Sequence, residues 1–459
     1  MKKTWFVMLL MIAIALSMNS LTLDECHDMA KQNNKELLSA REDIAMADFL
    51  YYDVRGLLLP QITLQGGYNL NTTWLPKSSL PAKMDFTSAL NDDATSNDSL
   101  LADILTGFAN GMIPGNPMKE GSVAGQIKLE QILFSGGKLI NGINAVNRYR
   151  SIQKLRYKLV EQEVIAQTTD MYYQTILARK VYEIQQEALA TATRHLDRVE
   201  LLNQEGQVSE FDLLRARLEV AKLRPNLIQA NNMYDLAVAA FRKQIGYYGD
   251  ELVLDQEFIL PATRDENLQA AYTLADKQRI ELQLSSINTE INRIKYNAEK
   301  GNYLPVVGLS AGYSVFTAAD EYKIEKDDFG TSFSAGIGFS IPIFTGFSNS
   351  SKRSYARHEY NQSKIKETDA KEWIQLEVKQ TWQNLQNALE NYQVQLETIR
   401  MAERSLQLAQ VRYENQVGIQ LEVFDAQMTL NAVKLSYYNS IYEVISANQK
   451  FKKAMGFIL

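Results

Sequence analysis

Histidine, cysteine and closely spaced carboxylates are the side chains that ligate metals or make and break bonds. This sequence keeps them apart. Its three histidines, His27, His195 and His358, include no pair at the helical spacing that turns two ring nitrogens toward one metal. The single cysteine, Cys26, has no second thiol for an intramolecular disulfide. No glycine-rich phosphate loop, Gly-x-Ser-x-Gly elbow or His-Glu-x-x-His motif occurs. Acidic residues are spread along helical stretches, as solvated faces are. The expectation is a non-enzyme with no cofactor and no metal. The formal net charge of -6 speaks against a nucleic-acid partner, which needs a basic face to neutralise phosphates.

The elements that position these residues begin with an export signal. Lys2 and Lys3 precede an apolar run from Trp5 to Met18, and small or polar residues follow at Ser17, Asn19 and Ser20. That pattern predicts a signal peptide over residues 1–20, cleaved near Ser20. Leu23-Asp24-Glu25 before Cys26 does not fit lipoprotein processing, so Cys26 reads as a plain thiol on the first helix. No other stretch reaches 18 consecutive apolar residues, so a membrane crossing must be made by a closed β-barrel.

The chain repeats itself. Leu59-Pro60-Gln61-Ile62-Thr63-Leu64-Gln65-Gly66-Gly67-Tyr68 returns as Leu304-Pro305-Val306-Val307-Gly308-Leu309-Ser310-Ala311-Gly312-Tyr313. Ile132-Leu133-Phe134-Ser135-Gly136 returns as Pro342-Ile343-Phe344-Thr345-Gly346, and Phe241-Arg242-Lys243-Gln244-Ile245-Gly246 as Phe451-Lys452-Lys453-Ala454-Met455-Gly456. The last two pairs share one spacing. The first pair is further apart because the first copy carries a longer insertion between Tyr68 and Gln126. Two structural repeats are expected, 21–246 and 267–459, joined by a linker over 247–266. Each reads helix, strand, loop, strand, long helix, turn, return helix.

Gln61 to Trp74 alternates strictly: Ile62, Leu64, Tyr68, Leu70 and Trp74 on one face, Gln61, Thr63, Gln65, Asn69, Asn71 and Thr73 on the other. Val307, Leu309, Ala311, Tyr313 and Val315 repeat the pattern. Ile127, Leu129 and Leu133 line a third strand, and Phe333 to Ile343 at every second residue a fourth. Strands of this length cross an outer membrane when tilted. Four cannot close a barrel alone, so the chain must pool them with other copies. Polar loops are expected over 76–120 and 317–330. Gly136–Gln204 and Gly346–Asn415 contain no proline and read as single helices of about 100 Å at 1.5 Å per residue. Leu385, Ala388, Tyr392, Leu396 and Ile399 form a coiled-coil stripe on one of them, and Val181, Ile184 and Ala188 on the other. Return helices follow at Ser209–Lys243, interrupted by Pro225, and Leu421–Lys453; single helices are expected at Asp24–Leu58 and Glu266–Lys300. Asp212, near a return-helix start, suits a cap or a dipole partner.

Leu21-Thr22-Leu23-Asp24-Glu25-Cys26, Leu59-Pro60, and the junctions Phe134-Ser135-Gly136-Gly137 and Pro342-Ile343-Phe344-Thr345-Gly346 resemble the TolC outer membrane efflux family. So do two hairpin tips, Gly206-Gln207-Val208-Ser209-Glu210-Phe211-Asp212-Leu213-Leu214 and Val417-Gly418-Ile419-Gln420-Leu421-Glu422-Val423-Phe424-Asp425-Ala426-Gln427. The order and duplication of these motifs cover nearly the whole mature chain. The resemblance implies an α+β, mainly α, fold: the protomer of a trimeric β-barrel with four strands per chain, continued by a long periplasmic coiled-coil barrel. It implies a homotrimer in outer membrane lipid of a Gram-negative bacterium, working with a periplasmic adaptor and an inner membrane pump in efflux or type I secretion. It places Asp212, Glu422 and Asp425 at a periplasmic constriction, and Gly206, Ser209, Val417 and Gly418 in adaptor-contacting turns. Two departures stand out: a second tip shortened after Gly418, and Gln420 where an arginine sits to bond the first-tip aspartate. The alternative is a periplasmic coiled-coil scaffold or adhesin without a transport role.

Overall fold

A computed structural model describes residues 21–70, 84–91, 94–112, 121–249, 252, 254, 258–260, 267–319, 325–415 and 417–457. The expected signal peptide, Trp74 with its strand neighbours beyond Leu70, and most of the linker lie outside the described residues. The chain divides into two compact units. One is Tyr52–Ile143 with Asn297–Arg353; the other is Met1–Tyr51, Asn144–Tyr296 and Ser354–Leu459.

The first unit holds β1 (Gln61–Leu70), β2 (Gly121–Ser135), β3 (Val306–Ala319) and β4 (Phe329–Ser340) in one antiparallel sheet ordered β1-β2-β3-β4. The register puts Ile62, Leu129, Ala311 and Ala335 in one row and Leu64, Ile127, Tyr313 and Phe333 in the next. One face is therefore apolar across all four strands, and Thr63, Gln65, Gln126, Ser314, Ser332 and Ser334 lie on the other. The apolar face is bare: Ile62, Leu64, Phe333, Ile337 and Phe339 are each at least 69% exposed. A β-bulge between Ile132 and Phe134 absorbs Leu133. β4 stops at Ser340, short of the expected Ile343, where Pro342 has no N–H to give to a ladder. The loop expected over 76–120 contains a helix, α3 (Ser96–Met112). Its opening Thr95 hydroxyl and N–H both bond Asp98, and its apolar residues recur at helical spacing. The second loop starts later than expected, since β3 continues to Ala319.

The second unit is helical. α4 (Lys138–Gln204) and α8 (Ser348–Glu414) are the long helices, each unbroken over 67 residues. α5 (Glu210–Ile245) and α9 (Gln420–Ala454) are the return helices, and α5 runs through Pro225 as one helix. Among the described residues no helix is long and apolar enough to cross a membrane. One core cluster gathers Cys26, Leu37, Val164, Tyr172, Tyr173, Phe241, Ile245 and Ile441; a second gathers Ala271, Ile374, Val378, Leu385, Val444 and Phe451. Burial pushes the Cys26 thiol up to about 12, so it stays protonated and inert. Thr168, Thr169 and Thr175 on the buried face of α4 each bond the carbonyl four residues back, which satisfies the hydroxyl within the helix.

The first helix of each repeat is not single, as expected, but broken. α1 (Leu23–Asn33) and α2 (Lys35–Gly56) part at Asn34; α6 (Leu268–Gln278) and α7 (Ile280–Lys300) part at Arg279. Both break residues are extended, with ψ of 129° and 122°. Neither is proline or glycine, so the cause is tertiary. Asn34 Nδ2 donates to the Gln244 carbonyl at the end of α5, and its Oδ1 accepts from the Glu36 N–H. Arg279, 6% exposed, donates to the Lys453 and Ala454 carbonyls at the end of α9, to Glu281 and to Glu377 at 2.8 Å. Each break thus supplies donors to the last carbonyls of a return helix, which have no intrahelical partner. Replacing Arg279 by Met should remove five hydrogen bonds and cost about 2 kcal/mol, given about 1.5–3 for bonds to a charged group in a partly wet site. Thermal unfolding of the detergent-purified protein checks this, and an unchanged midpoint would show that the node is ornamental.

Candidate functional site

Both hairpin tips are built by local chain chemistry. After α4, Gly206 adopts φ +72°, open to a residue without Cβ. The Gly206 and Gln207 N–H groups bond back to the Asn203 and Leu202 carbonyls, and Asn203 Nδ2 holds the Val208 carbonyl. Ser209 then caps α5. Its Oγ accepts from the Asp212 N–H at 3.2 Å, while its own N–H and hydroxyl bond Asp212 Oδ2 at 3.3 and 2.6 Å. This is a capping box with aspartate as the reciprocal partner.

The second tip is built differently. The N–H groups of Val417 and Gly418 both donate to the Arg412 carbonyl. Gly418 is not left-handed; it is needed because a Cβ there would press on the Arg412 and Glu422 side chains. α9 starts at Gln420 with Ile419 before it and no side-chain cap. Glu422 lies 3.6 Å from the Arg412 guanidinium in an exposed pair. Asp425 is exposed and borders a groove between the tips, with Phe211, Leu214, Arg215 and Phe424. The three carboxylates are therefore held separately: Asp212 by its own turn, Glu422 by its own hairpin, and Asp425 on the seam between hairpins.

Among the described residues Gln420 makes no hydrogen bond to Asp212, which bonds Ser209. The Gln420 amide contacts His195 Nε2 on α4, and the His195 ring sits edge-on to Phe424 with centroids 5.4 Å apart. Further contacts tie the hairpins: Lys434 to Glu187 at 2.9 Å, and the Tyr442 hydroxyl to Asp170 at 2.7 Å. None of these partners was legible in sequence, because His195 and Gln420 are 225 residues apart and carry no local pattern. Burial, and then Arg198, hold the His195 pKa below its ordinary value. Burial does the same for His27, partly offset by Asp24, and His27 Nε2 pairs with the Thr169 hydroxyl at 2.7 Å. Among the described residues, no three histidine, cysteine or carboxylate side chains are grouped to hold a metal.

An open sheet with one bare apolar face, carried by a chain with two long helical hairpins, defines a membrane channel protomer of the barrel-and-hairpin class. The chain belongs to the outer membrane efflux protein family, whose sequence pattern matches residues 27–247 and 271–457. The outer membrane is its location. It is similar to the outer membrane protein TolC of Escherichia coli K12, 20% identical over 357 residues that span 76% of this chain and 72% of that one. It is similar also to the outer membrane efflux protein BepC of Brucella suis, 23% identical over 76% of this chain and 75% of that one. Among solved structures it is similar in fold to the Campylobacter jejuni CmeC outer membrane channel (TM-score 0.74, 14% identity, 95% of this chain and 85% of that one). VceC of Vibrio cholerae gives a TM-score of 0.71 at 13% identity, over 95% of this chain and 96% of that one.

Ser209→Ala should cost about 1 kcal/mol at the first tip, the usual worth of an N-cap, read as faster amide exchange over 203–213 with little change elsewhere. Because burial holds the folded pKa values of both half-buried histidines, His27 and His195, below 6.5, the neutral ring is the form the fold favours. Their stabilising contribution is whole above 6.5 and is lost as pH falls through the lower folded value. The unfolding midpoint should drop on acidification from about pH 6.5, and His27→Gln should flatten that drop; an identical slope in the variant would remove His27 from the account.

Proposed function

We propose that three copies of this chain form the passive exit duct of a tripartite efflux or type I secretion system. Three four-stranded sheets make a 12-strand barrel in outer membrane lipid, and the helical hairpins make a periplasmic tunnel. A periplasmic adaptor meets its tips, and an inner membrane pump supplies energy and choice of cargo. The observation that carries this reading is the sheet: apolar on one face, polar on the other, and unpaired at β1 and β4 among the described residues. Such a sheet lasts in lipid only when its edges join other strands.

Asp212, Glu422 and Asp425 form the constriction, a ring of carboxylates that favours cations. Gly206, Ser209, Val417 and Gly418 form the turns that meet the adaptor. Exposed apolar side chains beside them, Phe211, Val417 and Ile419, support a contact there. Opening moves one hairpin against the other, between two packings of rigid helices.

The purified mature protein should need detergent, migrate as a trimer and conduct ions in planar bilayers. A water-soluble monomer would overturn the duct and return the scaffold or adhesin reading, which requires no membrane partition. Glu422→Gln combined with Asp425→Asn should lower cation preference and alter conductance. Unchanged selectivity would take both residues out of the gate while leaving the duct standing.

A further inference from the structure

Between the two hairpins, within the helical unit, lies a cavity of about 210 Å³. Its walls come from four helices: His195 on α4, Glu219 and Leu223 on α5, Glu414 on α8, and Phe424 and Gln427 on α9. An engineered apolar cavity of about 150 Å³ accepts benzene, so this one has room for one or two rings. Phe424 and Leu223 offer the ring an apolar surface.

The polar end is set by Glu219. Its residue is only 9% exposed, yet its carboxylate has one polar partner among the described residues, Lys222 Nζ at 3.7 Å. That lysine side chain is 61% exposed and free to turn to water. A carboxylate this buried is stabilised by a cation that can donate hydrogen bonds to it. Glu414 borders the same space, and among the described wall residues the two carboxylates face one cation, Arg198, while Lys222 beside Glu219 stands largely in water.

We propose that this cavity binds small aromatic amines, with the ring against Phe424 and the ammonium group on Glu219. A bound molecule touches both hairpins and so fastens them in the packing described above. That consequence rests on the gate reading; the binding itself does not.

Tryptamine is the probe, with indole-3-propionate as its anionic counterpart, titrated calorimetrically into the full-length protein in detergent. Tryptamine should bind once per chain and the acid should not. Glu219→Gln should weaken tryptamine by about tenfold or more, the loss of a charge-assisted contact. Ala192→Leu, on the cavity wall, should abolish binding by filling the space, and Phe424→Leu should weaken it. Variants are compared only when they elute like the parent protein, so lost binding is not lost folding. No tryptamine binding, equal binding of the acid, or full affinity in Glu219→Gln overturns the site. Conductance with tryptamine present is read separately: binding that leaves opening unchanged keeps the site and removes its link to the gate.

Discussion

The structure depends on one constraint: backbone hydrogen bonds at the edges of a four-stranded sheet whose outer face is oily. In water an open edge is tolerated when charges or prolines blunt it. In hydrocarbon each unpaired N–H or C=O costs several kcal/mol, so an open edge has no stable place there. Burying Ile62, Leu64, Phe333, Ile337 and Phe339 in lipid and leaving β1 and β4 unpaired are incompatible demands on a single chain. On the proposed reading an even number of antiparallel strands resolves them, because β4 of one copy would meet β1 of the next antiparallel, with no mismatch at the joint. Each hairpin adds two strands, so the duplication enlarges the sheet and leaves its count even.

The helical unit solves a different problem. The buried faces of its long helices mix Ile and Val with Ala, and on α4 with Thr and Tyr. Hydrogen bonds at the ends of the return helices add fixed points to that packing. Asn34 and Arg279 stand at corresponding breaks and tie down the helix ends with different chemistry. One is a neutral amide that joins two helix ends; the other is a guanidinium that spreads five bonds over three segments. The copies have diverged in residue and kept the bend. The left-handed Gly246 that ends α5 sits against Asn33, and Gly456 after α9 sits against Gln278, so the bends and the helix ends are fitted to each other as pairs.

Signals that are periodic and local could be read directly from the residues. Strand alternation, helix length and the internal repeat are of this kind, and Ile62 to Tyr68 or Leu385 to Ala388 announce their faces without a partner being known. The hairpin turns were legible for the same reason, since Gly206 and Ser209 act within a few residues. The breaks at Asn34 and Arg279 were not, because their causes lie at Gln244 and Ala454, far along the chain. α3 was hidden in a segment rich in Asn, Asp, Ser and Gly, where composition says loop and only the spacing of Leu101, Leu105 and Phe108 says helix. In sequence His195 is a lone histidine without metal spacing; its partners Gln420 and Phe424 come from the other repeat.

The tip carboxylates illustrate how a structural role and an electrostatic one coexist. Position alone makes cap and gate alternatives for Asp212. In the folded chain the Ser209 N–H and hydroxyl both take Oδ2, and the turn asks nothing of Oδ1. The cap therefore fixes the carboxylate's orientation without consuming its charge. Glu422 is less firmly placed: its pairing with Arg412 is exposed at both ends, and such pairs contribute about 0–1 kcal/mol. Asp425 has no such pairing among the described residues and stands on the seam. On the proposed reading, the three differ in how freely they answer a moving hairpin. Asp212 travels rigidly with α5, Glu422 can exchange its partner at little cost, and Asp425 changes its surroundings whenever the groove beside Phe211 widens. A constriction made this way loosens in steps that begin at the seam, where the side chains are least committed, and its last fixed charge is the one the cap holds.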